Sequence, residues 1–217
     1  MKFIGIAGSI SEKSYNRKLL HFAKYLFVDE VEIEIVDIND IPLFNQDLNE
    51  DDYPKIKEIN DKIVESDGVI FVTPEHNRTV PAILKSLLEW LSYNYHPLKS
   101  KPVMILGASR TELGTSRAQL HLRQILNAPG VEAFVMPGNE FLLSKADTRF
   151  DEDGMITDEI TVDYLEHVIH RFVKFAELMN QVDINSIETK YTMTLAAGGY
   201  VNLDDPESDG TAGASEY

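Results

Sequence analysis

Two apolar runs that never alternate, GVIFVT (68–73) and KPVMILGAS (101–109), constrain the fold most. An alternating strand buries one face, whereas a strand that is apolar at every position has to be covered on both. The pattern around these runs has other periods. KFIGIAG (2–8) is a third short apolar run, and VEIEIVDI (31–38) alternates valine and isoleucine with acids. NRKLLHFAKYLF (16–27) sets Leu19, Leu20, Ala23, Leu26 and Phe27 at helical spacing, and PKIKEINDKIVESD (54–67) carries Ile56, Ile59 and Ile63 on one stripe. PAILKSLLEWLSY (81–93) opens with a proline suited to a first helical turn. Helices over about 115–127 and 159–181 and a strand at VEAFVM (131–136) complete the series. Five strands alternating with five helices predict an α/β domain, an open doubly wound parallel sheet with helices on both faces. Ligands of such sheets sit beyond the carboxyl ends of the strands, where the strand order reverses. The loops 8–16, 73–81 and 107–116 are therefore expected to meet at one ligand.

Composition removes several classes of function. A chain of 217 residues, 43% of them hydrophobic, can bury the core of one domain. No run of about 18 apolar residues is present for a membrane span, and MKFIGIAGS is too short for a signal peptide, so a cytoplasmic protein is expected. The absence of cysteine excludes disulfides, thiolate catalysis and cysteine metal sites. A formal charge of -16 argues against a nucleic-acid partner. In so acidic a chain, an anion site has to be built locally from aligned backbone N–H groups. The domain is expected to occupy 1–182, with 183–217, rich in glycine, small residues and acids, as an extension outside the sheet.

The first loop, GSISEKSYN, follows a buried strand with Ser9, Ser11, Ser14 and Asn16. One such residue, Ser14, would cap the following helix. Several hydroxyl and amide donors at a helix N-terminus point instead to a bound anion, although neither the Gly-Lys-Ser/Thr end of a P-loop nor a dinucleotide fingerprint is there. The second loop, TPEHNRTVP, holds Glu75, His76 and Asn77 between Pro74 and Pro81. The prolines stiffen the main chain, so its polar groups can be aimed at a ligand without further ordering. His76 has no second histidine at ligand spacing, and no metal is expected.

With these two loops the chain, over residues 2 to about 175, resembles the NAD(P)H-dependent FMN reductases, the flavodoxin-like group that includes quinone, chromate and azo reductases. The family's Gly-Ser-x-Arg-x-x-Ser-x-Asn is matched at Gly8, Ser9, Ser14 and Asn16, and its Thr-Pro-Glu-Tyr-Asn-x-Ser-x-Pro by TPEHNRTVP. IPLFNQD (41–47), LKSLLEWLS (84–92) and HLRQIL (121–126) extend the similarity. The resemblance implies a five-stranded sheet in the order 2-1-3-4-5 with FMN at the switch point. Ser9, Ser11, Ser14, Tyr15 and Asn16 would surround its phosphate. Pro74, Glu75, His76 and Asn77 would line the isoalloxazine through main-chain contacts, and Ser109 would touch the flavin from the third loop. The flavin carries the chemistry, so no protein acid, base or nucleophile is assigned.

NADPH or NADH would be the co-substrate and a small molecule the electron acceptor. A homodimer or homotetramer is implied, paired through the helix that bears Leu84, Leu87, Leu88 and Leu91. Ser11 and His76 stand where the family has arginine and tyrosine; Arg17 is expected to compensate in part for the arginine, and Arg110 to face the open side of the flavin and attract the phosphates of the nicotinamide cofactor. Two rival readings use the same fold: a flavodoxin-like electron carrier or redox sensor, and a flavin-free binder of nucleotides or phosphosugars.

Overall fold

The computed structural model describes residues 1–138 and 140–182; the extension expected over 183–217 lies outside the described residues. Strands β1 (Lys2–Ala7), β2 (Glu32–Val36), β3 (Gly68–Val72), β4 (Pro102–Ala108) and β5 (Phe134–Val135) lie in the order β2-β1-β3-β4-β5. Every pairing is parallel. The order reverses between β1 and β3, so the chain ends of these strands form the switch point. The non-alternating runs behave as their composition requires: every residue of β3 and β4 is buried, whereas the edge strand β2 is only partly covered.

Five helices cover the two faces. On one, α1 (Tyr15–Leu26) and α5 (Glu159–Met179) pack Leu19, Leu20, Leu165, Ile169 and Phe172 against Phe3, Ile70 and Met104. On the other, α2 (Pro54–Val64), α3 (Ala82–Trp90) and α4 (Ser116–Leu126) pack Ile56, Ile59, Leu84, Leu88 and Leu122 against Ile4, Phe71 and Ile105. The helices start where the sequence supplies a start. Ser14 caps α1 by accepting from the N–H of Arg17, Pro54 opens α2, and Asp158 caps α5 by accepting from the N–H of Thr161. Among the described residues, no helix is long and apolar enough to cross a membrane.

Two local expectations change. The strand read at 131–136 is only two residues long, and a further strand, β6 (Phe141–Leu143), continues along the same β4 as a partner of Leu106–Ala108. From Val135 to Phe141 the chain takes six steps while β4 takes three from Val103 to Leu106, so the fifth strand position is interrupted. Pro137 and Gly138, the latter at φ 71°, make the break. A three-residue strand is too short to display a period, which is why it escapes sequence reading. The leucine stripe of α3 is also corrected: Leu84, Leu87, Leu88, Leu91 and Trp90 are all buried inside the protomer. The 41–53 loop lies against Trp90, whose Nε1 donates to the Pro42 carbonyl at 3.0 Å and whose ring the Phe44 ring meets edge-on at 5.0 Å. The stripe is core, and it offers no free face for a second subunit.

Gly107 sets how closely the loops approach one another. A Cβ there would lie 1.7 Å from Thr115 Oγ1 and 2.9 Å from the Thr73 carbonyl oxygen. Neither neighbour can retreat, because both are fully buried. Gly107→Ala is expected to lower stability by roughly 3 kcal/mol, the upper end for overpacking. Gly138→Ala, at a position with nothing within 4 Å, should cost only about 1 kcal/mol through its positive φ. Urea unfolding of both variants checks the contrast, and equal losses would contradict it.

Candidate functional site

The three loops that leave β1, β3 and β4 are tied together by polar side chains. The first leaves the sheet with the Gly8 N–H still donating to the Val72 carbonyl at 2.9 Å. It then turns tightly: Ser9 Oγ accepts from the Ser11 N–H at 3.3 Å, and the Ser11 carbonyl accepts from the Ser14 N–H at 3.1 Å. Ser9 and Ser14 use a lone pair in these contacts and keep their O–H groups for donation; Ser11 is exposed. The first turn of α1 also directs the N–H groups of Tyr15 and Asn16 outward, beyond reach of an intrahelical acceptor. Hydroxyl groups, N–H groups without an intrahelical acceptor and the positive helix end are thus gathered within residues 9–16, a donor set that fits a phosphate monoester.

Asn16, 3% exposed, has a different geometry from the other loop residues. Its Nδ2 donates to the Ala108 carbonyl and its Oδ1 accepts from the Ala108 N–H, both at 2.9 Å. The side chain is thus a strut joining the first loop to the end of β4. Tyr15 stacks on Phe150 with ring centroids 6.1 Å apart, and Lys18 and Arg110 stand 5.8 and 6.0 Å from its centroid. Arg17 pairs instead with Asp37 at 3.6 Å. Phe150 and Lys18 were not singled out by sequence; Phe150 lies in an irregular segment with no period to mark it.

The second loop is a two-residue hairpin. His76 and Thr79 exchange both main-chain hydrogen bonds at 3.0 Å, and the intervening Asn77 and Arg78 have φ of 50° and 68°. The hairpin uses the main chain of His76 and Thr79 and leaves the N–H groups of Glu75 and Asn77 available. The side chain of Glu75 turns away to α4, where Oε2 accepts from the N–H groups of Arg117 at 3.0 Å and Ala118 at 3.3 Å. In the third loop the Ser109 N–H donates to the Leu143 carbonyl and the Ser109 carbonyl accepts from the Ala146 N–H. The Ser109 hydroxyl accepts from the Thr111 N–H at 3.1 Å. Pro74 is half-buried and His76 exposed at the rim.

Among the described residues, one hollow borders the donor set of the first loop and another lies away from it. A hollow of about 340 Å³ beside Ser9 runs between α1 and β2; burial, then Arg17 and Lys24, hold His21 in its wall below the usual histidine range. A hollow of about 670 Å³ lies at the opposite end of the sheet, around Met1, Lys2 and Val28–Glu34. Its principal cation, Lys2, is already paired with Glu34 at 2.7 Å. Among the described residues no group of three histidine, aspartate or glutamate side chains could hold a metal ion.

Comparison with known proteins agrees with this geometry. Residues 1–148 match the family model described as NADPH-dependent FMN reductase. The chain is 42% identical over 183 residues to the NADH:(hydroxy)cinnamate reductase subunit CrdA of Vibrio ruber, covering 84% of this chain and 90% of that one. It is 40% identical over 182 residues to the NADH-dependent flavin reductase subunit 2 of Lactobacillus johnsonii, covering 82% and 98%. Among solved structures, FerB, a flavoenzyme NAD(P)H:(acceptor) oxidoreductase from Paracoccus denitrificans, superposes with a TM-score of 0.74 at 28% identity, covering 82% of this chain and 98% of that one. A donor-lined helix terminus at the switch point of a 2-1-3-4-5 sheet, with relatives of this similarity over most of its length, identifies the chain as a member of the NADPH-dependent FMN reductase family.

Proposed function

We propose that the chain binds FMN and passes reducing equivalents from NADPH or NADH to a small acceptor, such as a quinone, an azo compound, free flavin or a metal oxyanion, by a ping-pong scheme. The observation that carries this reading is the set of donors on the first loop, aimed at the switch point from the N-terminus of α1. When bound, FMN would supply the hydride chemistry between the nicotinamide and the acceptor. Ser9, Ser11 and Ser14, with the N–H groups of Tyr15 and Asn16, hold the phosphate. The main chain of Pro74, Glu75, His76 and Asn77 faces the ring system, and Ser109 limits the site from the third loop. On this scheme the oxidised nicotinamide would leave before the acceptor enters.

A second reading is favoured by one observation: two of the similar proteins are named as subunits of reductases. On that reading the chain hands electrons to a partner protein and works as an electron-carrying subunit. The homodimer or homotetramer is a separate expectation and has no support from the α3 leucines. If the chain forms that homo-oligomer, light scattering of the pure protein is expected to give at least twice 24.5 kDa. The mass of one chain would exclude the homo-oligomer and leave the partner reading. Rapid NADH or NADPH oxidation with a small quinone by the pure chain favours the diffusing acceptor; slow oxidation favours the protein partner.

Two predictions test the site itself. Purified protein is expected to be yellow and to release FMN on denaturation; chromatography that finds FAD, or no flavin, overturns the cofactor assignment. Ser14→Asp keeps a good N-cap, so circular dichroism should change little. It also puts a carboxylate within about 4 Å of the phosphate, where each charge pair costs roughly 4 kcal/mol at an effective dielectric of 20. Even half of that weakens FMN binding about thirtyfold. A folded Ser14→Asp protein with parental affinity would refute the loop assignment.

A further inference from the structure

Resting on the FMN reading above, we propose that Glu75 is a positioning residue. By capping α4 from a neighbouring loop, its carboxylate holds the Asn77–Arg78 turn in a conformation that these two residues do not favour unaided. The turn in turn presents the main chain that faces the flavin ring.

The turn itself supplies the first part of the argument. A two-residue hairpin with positive φ at both central positions is of the I′ kind, whose natural sequence is Asn-Gly. Asn77 accepts the left-handed region readily, but Arg78, at φ 68°, places its Cβ against the following carbonyl. Such a residue persists only where its surroundings over-determine it.

Those surroundings come from one helix. Before the turn, the Glu75 carboxylate, 15% exposed, accepts the Arg117 and Ala118 N–H groups, with Arg117 Nη1 4.0 Å from Oε1. After the turn, Thr79 Oγ1 shares a hydrogen bond with His121 Nδ1 at 2.9 Å. Both ends of the hairpin are therefore fastened to α4. The helix does not cap itself: its N-cap residue, Thr115, makes no capping bond, and its hydroxyl accepts from Gln119 Nε2 at 3.2 Å. A negative charge at a helix N-terminus is favoured by both the free N–H groups and the dipole, so the interaction orders the loop while it completes the helix. The glutamate conserves its main chain for the site precisely where its side chain has been drawn away from it.

The test separates a clamp on the turn from a simple helix cap. Glu75→Ala is expected to weaken FMN binding by the flavin-free protein about tenfold, read by flavin fluorescence. Arg78→Gly alone should leave affinity within about twofold. Added to Glu75→Ala, it creates the Asn-Gly pair that adopts this turn unaided, and affinity should return to within about threefold of the parent. Undiminished affinity in Glu75→Ala, or a loss that Arg78→Gly does not repair, overturns the proposal. Should Glu75→Ala fail to fold, Glu75→Gln, which keeps the volume and one acceptor, should show a smaller loss with the same repair. Tryptic cleavage after Arg78 in the flavin-free chain reads the turn without any cofactor. It should quicken about tenfold in Glu75→Ala or Glu75→Gln as the open form becomes more populated, and an unchanged rate also overturns the proposal. Failure of the parent protein to bind FMN would refute the cofactor reading, while the cleavage rates would still decide the clamp.

Discussion

The candidate site depends on a buried amide meeting a strand end. β3 pairs with β4 only as far as Leu106, so Ala108 lies beyond its last partner on that strand. The Asn16 side chain takes both the N–H and the C=O of Ala108. A buried backbone group without a partner is costly, and a buried side-chain amide is no better off alone; each satisfies the other. Because Asn16 is in the first turn of α1, the same two bonds fix the helix N-terminus, and with it the serine loop, relative to the third loop. Moving either element would leave the Ala108 N–H and C=O and both ends of the Asn16 amide unpaired.

The rest of the site follows the same logic. Polar side chains from the first two loops are used as struts, and the main chain they position is what remains for a ligand. Asn16 joins the first loop to β4, Glu75 joins the second to α4, and Ser109 joins the third to β6 and the segment after it through its main chain. Gly107 allows the packing of Thr73 and Thr115 that these struts require. The Asn16 bonds are shielded from water, which strengthens them and leaves little tolerance for displacement.

Electrostatics adds a local exception to an acidic surface. The chain carries a net charge of -16, yet Lys18 and Arg110 gather around Tyr15 at the start of α1, where the helix itself is positive. Arg17 pairs with Asp37, so the positive charge nearest the start of α1 comes from these two side chains and the helix terminus. Against the acidic remainder of the chain, these cations and the helix terminus make this end of the sheet the more favourable place for an anion.

The sequence by itself determined the layers and the place of the site. Non-alternating runs can exist only as central strands, 3.6-residue stripes only as covering helices, and loops between them emerge at the same end of a parallel sheet. The motifs GSISEKSYN and TPEHNRTVP marked which loops matter. Only the tertiary structure decided the roles within them. Ser14 is both cap and available donor, Asn16 is a strut, Glu75 faces α4, and the α3 leucines belong wholly to the core. Phe150 reaches Tyr15 from 135 positions away, and β6 is found only by its pairing with β4. The reason is physical: periodicity reports which face of an element is buried, because burial acts on every turn or every second residue. The partner of one polar side chain leaves no periodic trace, since it is set by which backbone groups the completed fold brings within 3 Å of it.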